Sequence, residues 1–247
     1  MTLNVSKCSS MTFSKIRAPY MVEYSITNQP LKRVSMVKDL GVIFSSDFSF
    51  DEHVDYLCKR ANQLLGFLFR ATRGLTNAIA LKTLYCSLIR QLLEYASPVW
   101  SPFHLGSINK LEGIQKKYIR FLGARQGMQY REVPVAVFLN NLNLLDLHLR
   151  RCVADVVFLH KLLNGQIDCP ALLAEVDLRV PSGTRSQDLF GKRHFSSQYE
   201  YHAPLARFLR LGNTLGASID FFGDTTRTFR RKATVRLTSL RQQQNLL

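Results

Sequence analysis

Ser49-Phe50-Asp51-Glu52-His53-Val54-Asp55-Tyr56-Leu57-Cys58-Lys59-Arg60-Ala61-Asn62-Gln63-Leu64-Leu65-Gly66-Phe67-Leu68-Phe69-Arg70-Ala71-Thr72-Arg73-Gly74 is the stretch where the chain changes its period. Val54, Leu57, Cys58, Ala61, Leu64, Leu65 and Leu68 recur at i, i+3 and i+4, which gathers them on one face of a helix. Lys59, Arg60, Gln63, Arg70 and Arg73 fall outside that stripe, so the opposite face is cationic. Ser49 is a candidate N-cap, and Asp51 and Glu52 stand in the first turn, where the helix dipole favours acids. The spacing predicts an amphipathic helix from Asp51 to about Gly74.

Upstream of it the period is two. Met11 to Lys15 and Val22 to Ile26 are short β-branched and aromatic runs separated by Pro19. Leu40 to Phe44 is a third, entered through Asp39 and carrying Gly41, a residue suited to φ > 0 or a close backbone approach. Three such strands suit a small antiparallel sheet edge, whose apolar face needs a cover.

Downstream the helical period continues. Thr76 is a candidate cap for a second helix that buries Leu81, Leu84, Tyr85, Leu88, Leu92 and Tyr95 and stops before Pro98. A third, from about Leu105 to Gly123, buries Ile108, Leu111, Ile114, Tyr118 and Phe121 and leaves Lys110, Lys116, Lys117 and Arg120 off its stripe. Short loops pack the three as an antiparallel bundle. A fourth helix, Leu144 to Leu163, ends at Asn164-Gly165 with His160 on its apolar side, and Pro170 to Val176 reads as a short fifth. Pro181, Gly183 and Gly191 break the pattern, so a long loop is expected over 177–204. Arg207 to Leu211 and Phe221-Phe222 read as a last docking element before a basic tail. The expected fold is α+β, divided as a sheet edge (1–50), a helical bundle (51–125), a further helical region (126–176) and an irregular segment with a basic C-terminal tail (177–247).

Composition narrows the function classes. A chain of 247 residues with 46% hydrophobic and 21% charged residues buries a sizeable core. No apolar run reaches the roughly 18–20 residues of a membrane span, and no signal-peptide core opens the chain. An intracellular protein of cytoplasm or nucleus, without a membrane partner, is expected. The cysteines (Cys8, Cys58, Cys86, Cys152, Cys169) are scattered without Cys-x-x-Cys spacing and read as reduced thiols. Thirty-three Lys and Arg against 18 Asp and Glu leave a net charge of +15. Such an excess attracts polyanions. From Thr225 onward Arg227, Arg230, Arg231, Lys232, Arg236 and Arg241 meet no acid.

Catalytic chemistry is thinly represented. Asp51, Glu52 and Asp55 cluster, but their place in a first helical turn accounts for them. No phosphate-binding glycine loop, nucleophile elbow or His-Glu-x-x-His occurs, and no two aspartates are adjacent.

An ordered series of short motifs adds a specific expectation. It runs Leu3-Asn4-Val5-Ser6-Lys7-Cys8, Met11-Thr12-Phe13, Val37-Lys38-Asp39-Leu40-Gly41-Val42 and Phe48-Ser49-Phe50. It continues with Leu84-Tyr85, Arg90, Leu93-Glu94-Tyr95-Ala96-Ser97-Pro98-Val99-Trp100 and Ile114-Gln115-Lys116-Lys117. From Leu142 to about Arg207 it goes on more loosely through Leu142-x-x-Leu145, Arg150-Arg151, Leu162-Leu163-Asn164-Gly165 and Thr184-Arg185. In this order the motifs resemble the C-terminal part of the reverse transcriptase of non-LTR (LINE-type, jockey-like) retrotransposons.

The resemblance implies the end of a palm and a primer-grip-like hairpin over 1–50, a thumb over 51–125 and a post-thumb region beyond. It implies an accessory cation at Lys7, beside a catalytic centre whose aromatic-Ala-Asp-Asp turn this chain lacks. Without such a centre Lys7 reads as an exposed residue at a strand edge. An intact relative copies RNA into DNA with Mg2+ on palm carboxylates; for this chain no cofactor and no polymerase activity by itself are expected. Its implied partners are RNA or RNA–DNA hybrid template–primer and a palm and fingers portion. A duplex is gripped through phosphates, which calls for cations along helix faces. Lys59, Arg60, Arg70, Arg73, Lys110, Lys116, Lys117 and Arg120 supply them, with Arg230, Arg231 and Lys232 in the tail. A decayed fragment of such an element, a stand-alone nucleic-acid-binding protein and an interaction subunit pairing through its sheet edge all fit this reading.

Overall fold

Backbone pairing near the N-terminus is sparse in the computed structural model, which describes residues 4–16, 20–179, 188–216 and 219–244. The strands β1 (Ser9–Ser10), β2 (Ser25–Ile26), β3 (Gln29–Pro30) and β4 (Lys32–Arg33) are two residues long. β1 lies parallel to β4, and β2 is antiparallel to β3. The longer pair is the antiparallel hairpin of β5 (Met36–Asp39) and β6 (Val42–Ser45), with Asp39 opposite Val42. Its loop, Leu40-Gly41, has φ of +44° and +88°. Positive φ at both positions gives the twist that a two-residue hairpin needs. The chain is α+β as expected, but the sheet edge is three separate pairings, one of them parallel. Met11 to Lys15 is extended without a ladder, holding β6's exit through Ser14 N–H to the Ser46 carbonyl at 2.8 Å. An alternating pattern sets an extended backbone; a ladder also needs a neighbour at the right distance.

The first long helix, α1 (Asp51–Ala71), buries Val54, Leu57, Ala61, Leu65 and Leu68, with Asp51 and Glu52 in its first turn. Phe50, not Ser49, is its N-cap, and no side chain caps it. The Ser49 carbonyl accepts from the Ser45 hydroxyl and its N–H donates to Asp47, so Ser49 closes a turn instead. Asn77 caps α2 (Ala78–Tyr85), its Oδ1 accepting from Ile79 and Ala80 N–H; the expected cap, Thr76, lies one residue early. A π-helical turn (Cys86–Arg90) leads into α3 (Gln91–Glu94). Ala96 then takes φ +52°, and α4 (Ser97–Trp100) follows with Pro98 in its first turn. The helix ending at Glu94 stops before Pro98 as expected, and Pro98 stands in the first turn of the next, where no N–H is needed from it.

The long α5 (Leu105–Arg125) runs parallel to α1 with a constant offset along the contact. Ser107 Oγ donates to Asp51 at 2.7 Å, Lys110 Nζ to Asp55 at 2.6 Å and Lys117 Nζ to Asn62 at 2.9 Å. At the far end Arg125 caps the carbonyls of Leu75 at 2.6 Å and Phe69 at 3.1 Å. The up-down-up order keeps successive helices antiparallel. The first core fills their interior with Leu57, Leu65, Tyr85, Ile89, Trp100, Leu111 and Tyr118. Residues 126–146 contribute α6 (Val135–Asn141), which packs on α5.

A second core lies beyond α7 (Leu147–Leu163). Gly165, at φ +65°, ends that helix as the Asn164-Gly165 pair predicts. α8 (Pro170–Ala174) and α9 (Gln198–Tyr201) are short, while α10 (Pro204–Leu215) and α11 (Thr226–Gln244) pack on α7. Phe190, Phe208, Phe221, Phe229, Ala233 and Leu237 are buried among them. The basic tail expected at the C-terminus is thus corrected to the packed helix α11, and α10 takes in the docking element expected from Arg207 to Leu211; among the described residues of 177–203 the short α9 is the helix present. Phe229, Ala233 and Leu237 stand at i, i+4 and i+8, a stripe narrow enough for the surrounding cations to mask it. Pro181, Gly183, Thr184 and Arg185, like Leu3 and Pro19, lie outside the described residues.

His53 ties the hairpin to the bundle: its Nδ1 accepts from Ile43 N–H at 3.2 Å while its ring meets the Trp100 edge at 5.1 Å. Burial, and then the Lys38 charge, hold its pKa at about 4 against 6.5. A depressed imidazole contributes stability that is whole above pH 6.5 and is lost as pH falls towards 4. Relative to His53→Asn, which keeps an acceptor but cannot titrate, the wild type should lose about 3 kcal/mol over that window. Urea unfolding of both proteins across pH checks this; parallel curves would exclude it.

Candidate nucleic-acid interface

Side-chain position divides the candidate cations into two groups. Lys110 and Lys117 bridge the α1–α5 seam to Asp55 and Asn62, although both stay exposed. Lys59 follows Asp55 by four residues and Arg70 follows Gly66 by four, so both flank the same seam on α1. Arg60 follows Tyr56 on the adjoining flank, where Lys38 donates to Tyr56 Oη at 3.0 Å. That hydrogen bond and the Lys38 charge lower the Tyr56 pKa, with Arg60 adding to it. Lys38 is a cation of this face that periodicity missed; its signal lay in the Val37-Lys38-Asp39 string, but as a hairpin rather than a charge.

Lys59, Arg60, Arg70, Arg73 and Lys116 are exposed, and among the described residues none of them has an ion pair. Arg120 is different: it is half-buried, and its guanidinium lies 5.9 Å from the Tyr130 ring centroid. The structure therefore places Lys116 and Arg120 on one face, as their spacing requires, but turns Arg120 towards the loop after α5. Helix spacing sets Lys59 and Arg70 beside the seam that Lys110 and Lys117 cross, Arg60 on the adjoining flank of α1, and Lys116 next to Lys117 on α5.

The C-terminal cations lie elsewhere, on a helix whose main neighbours are α7 and α10. Lys232 is paired with Asp224 at 2.8 Å, Arg230 lines a cavity with Glu94 and Arg150, and Arg231 is exposed. They do not extend the α1–α5 face. Lys7 is exposed at the end of a one-turn helix, Val5–Lys7, which Asn4 caps by accepting from Ser6 N–H at 3.1 Å. It precedes β1 rather than edging it.

Two of the three acids at the start of α1 are engaged, Asp51 with Ser107 and Asp55 with Lys110. Among the described residues no three His, Cys, Asp or Glu side chains group closely enough to hold a metal ion. These carboxylates do not fit a two-metal phosphoryl-transfer centre, which needs several converging on ions ~3.5–4 Å apart.

The motif strings that stand apart in sequence meet in space. Tyr95 Oη donates to the Leu40 carbonyl at 3.0 Å, so the β5–β6 turn rests on the α3–α4 corner. Trp100 is fully buried, and its Nε1 donates to the Tyr95 carbonyl at 2.7 Å. Glu94 is clasped by Arg150 through two hydrogen bonds and approached by Arg90 at 3.7 Å. Arg207 was read only as the start of a docking element, yet it holds the most. It binds Asp155 through Nε at 2.7 Å and Nη2 at 3.3 Å, and also donates to the carbonyls of Pro98 at 2.8 Å and His202 at 3.2 Å. No window of sequence contains those partners.

No protein-family model, no curated protein and no solved structure matches this chain. Among the described residues no helix is long and apolar enough to cross a membrane.

Proposed function

We propose that this chain grips a nucleic-acid duplex by its phosphates on the α1–α5 face and corresponds to the thumb and flanking regions of a non-LTR retrotransposon reverse transcriptase. The observation that carries the proposal is the parallel, in-register packing of α1 and α5. It lays two cationic helix faces side by side, and the acids at their seam are engaged, Asp51 by Ser107 and Asp55 by Lys110. Helix-borne Lys and Arg suit backbone contact, which needs charge rather than base-reading geometry. RNA–DNA hybrid is the substrate class the motif order favours. The chain lacks the carboxylates for polymerisation and performs no such chemistry alone.

A missing covering portion is supported by exposed apolar side chains: Phe13, Ile16, Tyr20, Met21, Val22, Tyr24, Met36 and Leu40. They crowd the residues that resemble the end of a palm. The same patch favours, as second reading, an interaction subunit joined through its N-terminal strands.

Fluorescence anisotropy with a blunt RNA–DNA hybrid across a salt series tests the grip. A steep negative slope of log K against log salt is expected. Lys59→Ala, Lys116→Ala and Lys117→Ala together should flatten it by about 2–3 units, near 0.9 per lost phosphate contact. Equal slopes for two folded proteins, or no binding by the wild type, would remove the reading and leave the interaction subunit.

A further inference from the structure

Four segments meet in a groove: Lys15, the turn from Phe48 into the start of α1, the residues around the end of α4, and the α9–α10 corner. Its cavity volume is about 90 Å³, and the rest of the groove is open to solvent. Several aromatic rings stand in its walls. Phe103 and His202 lie face to face at 4.3 Å and 2°. Across the groove Phe48 and Tyr199 are 6.1 Å apart, and Lys15 Nζ sits 3.6 Å from the Tyr199 ring centroid. Trp100 closes one side.

Charge at this groove suits an anion-bearing aromatic ligand. The carboxylate in the lining, Asp51, accepts from Ser107 at 2.7 Å. Lys15 is exposed and, among the described residues, has no ion pair. Burial, then the charges of Arg210 and Arg207, depress His202, so its ring is neutral at pH 7 and stacks as an aromatic surface. Arg207 holds the wall in place through Asp155 and the carbonyls of Pro98 and His202. Aromatic faces beside a free cation are the means by which proteins take unpaired bases without sequence preference.

We propose that this groove binds an unpaired nucleotide at a single-stranded end, its base stacked on the aromatic walls and its phosphate attracted by Lys15. The proposal rests on the nucleic-acid reading for its ligand class, but not on the α1–α5 cations, none of which lines the groove.

The test compares a blunt RNA–DNA hybrid with the same hybrid bearing a short single-stranded tail that contains 2-aminopurine. Tail fluorescence should fall on binding, as should emission from Trp100, the one tryptophan of the chain. Phe103→Leu should weaken the tailed hybrid about tenfold and leave the blunt one unchanged. Lys15→Ala, at an exposed position outside both cores, should weaken the tailed hybrid as well. Equal affinity for both hybrids without quenching overturns the groove while the duplex face stands. Quenching lost in Phe103→Leu, with a salt slope indifferent to Lys59, Lys116 and Lys117, supports the groove and overturns the duplex face. A proline-rich peptide that quenches Trp100 where nucleotides do not would assign the groove to a protein partner and overturn the proposal.

Discussion

Asp155→Ala should lower the unfolding free energy by about 3–5 kcal/mol, the loss found when one member of a buried ion pair is removed. Asp155 is fully buried, and its partner Arg207 has 12% of its side chain exposed. The variant leaves a desolvated guanidinium whose remaining acceptors are the Pro98 and His202 carbonyls. Burial outweighs the neighbouring arginines and pushes the Asp155 pKa up to about 6, which marks how costly desolvation is at this site. Replacing both partners, as Asp155→Leu with Arg207→Met, should therefore recover at least half of the loss. Urea denaturation at pH 7 measures all of these. A loss under about 1 kcal/mol for Asp155→Ala would mean that the pair does not join α4, α7 and α10.

Phe229→Ala should be as damaging, at about 3–5 kcal/mol. The ring has no exposed surface and packs 4.9 Å from Phe221 and 4.3 Å from His160, both centroid to centroid. Arg231→Ala, two residues along the same helix and exposed, should stay within about 0.5 kcal/mol. Denaturant midpoints for the two variants decide whether α11 is part of the second core. Two neutral results would return it to a solvated basic tail.

The periodicity of α1, α5 and α7 was legible because each buries a broad stripe against neighbours that any bundle supplies. His160 was legible as a core residue for the same reason. The motif order placed Leu40-Gly41 in a turn and Tyr95 at a helix end without hinting that one rests on the other. Among the cations, spacing grouped Lys110 with Lys117 and Lys116 with Arg120. It did not foretell that Lys110 and Lys117 would cross a seam, or that Arg120 would face Tyr130. α11 was hidden because its stripe is a single residue wide among six cations and hydroxyl side chains.

By itself the sequence determined which faces are apolar, where α7 stops at Asn164-Gly165, and that Gly41 has the backbone freedom for a positive φ. These are short-range matters of period and backbone freedom. Only the tertiary structure decided which polar side chains are used up in holding the fold. The seam contacts of Lys110 and Lys117 join residues 55 apart, Arg150 reaches Glu94 across 56, and Arg207 reaches Pro98 across 109. A helix period says that a side chain points away from its own core. Whether it then meets water, a carboxylate or another helix's carbonyl depends on where the chain returns, and no local pattern carries that information.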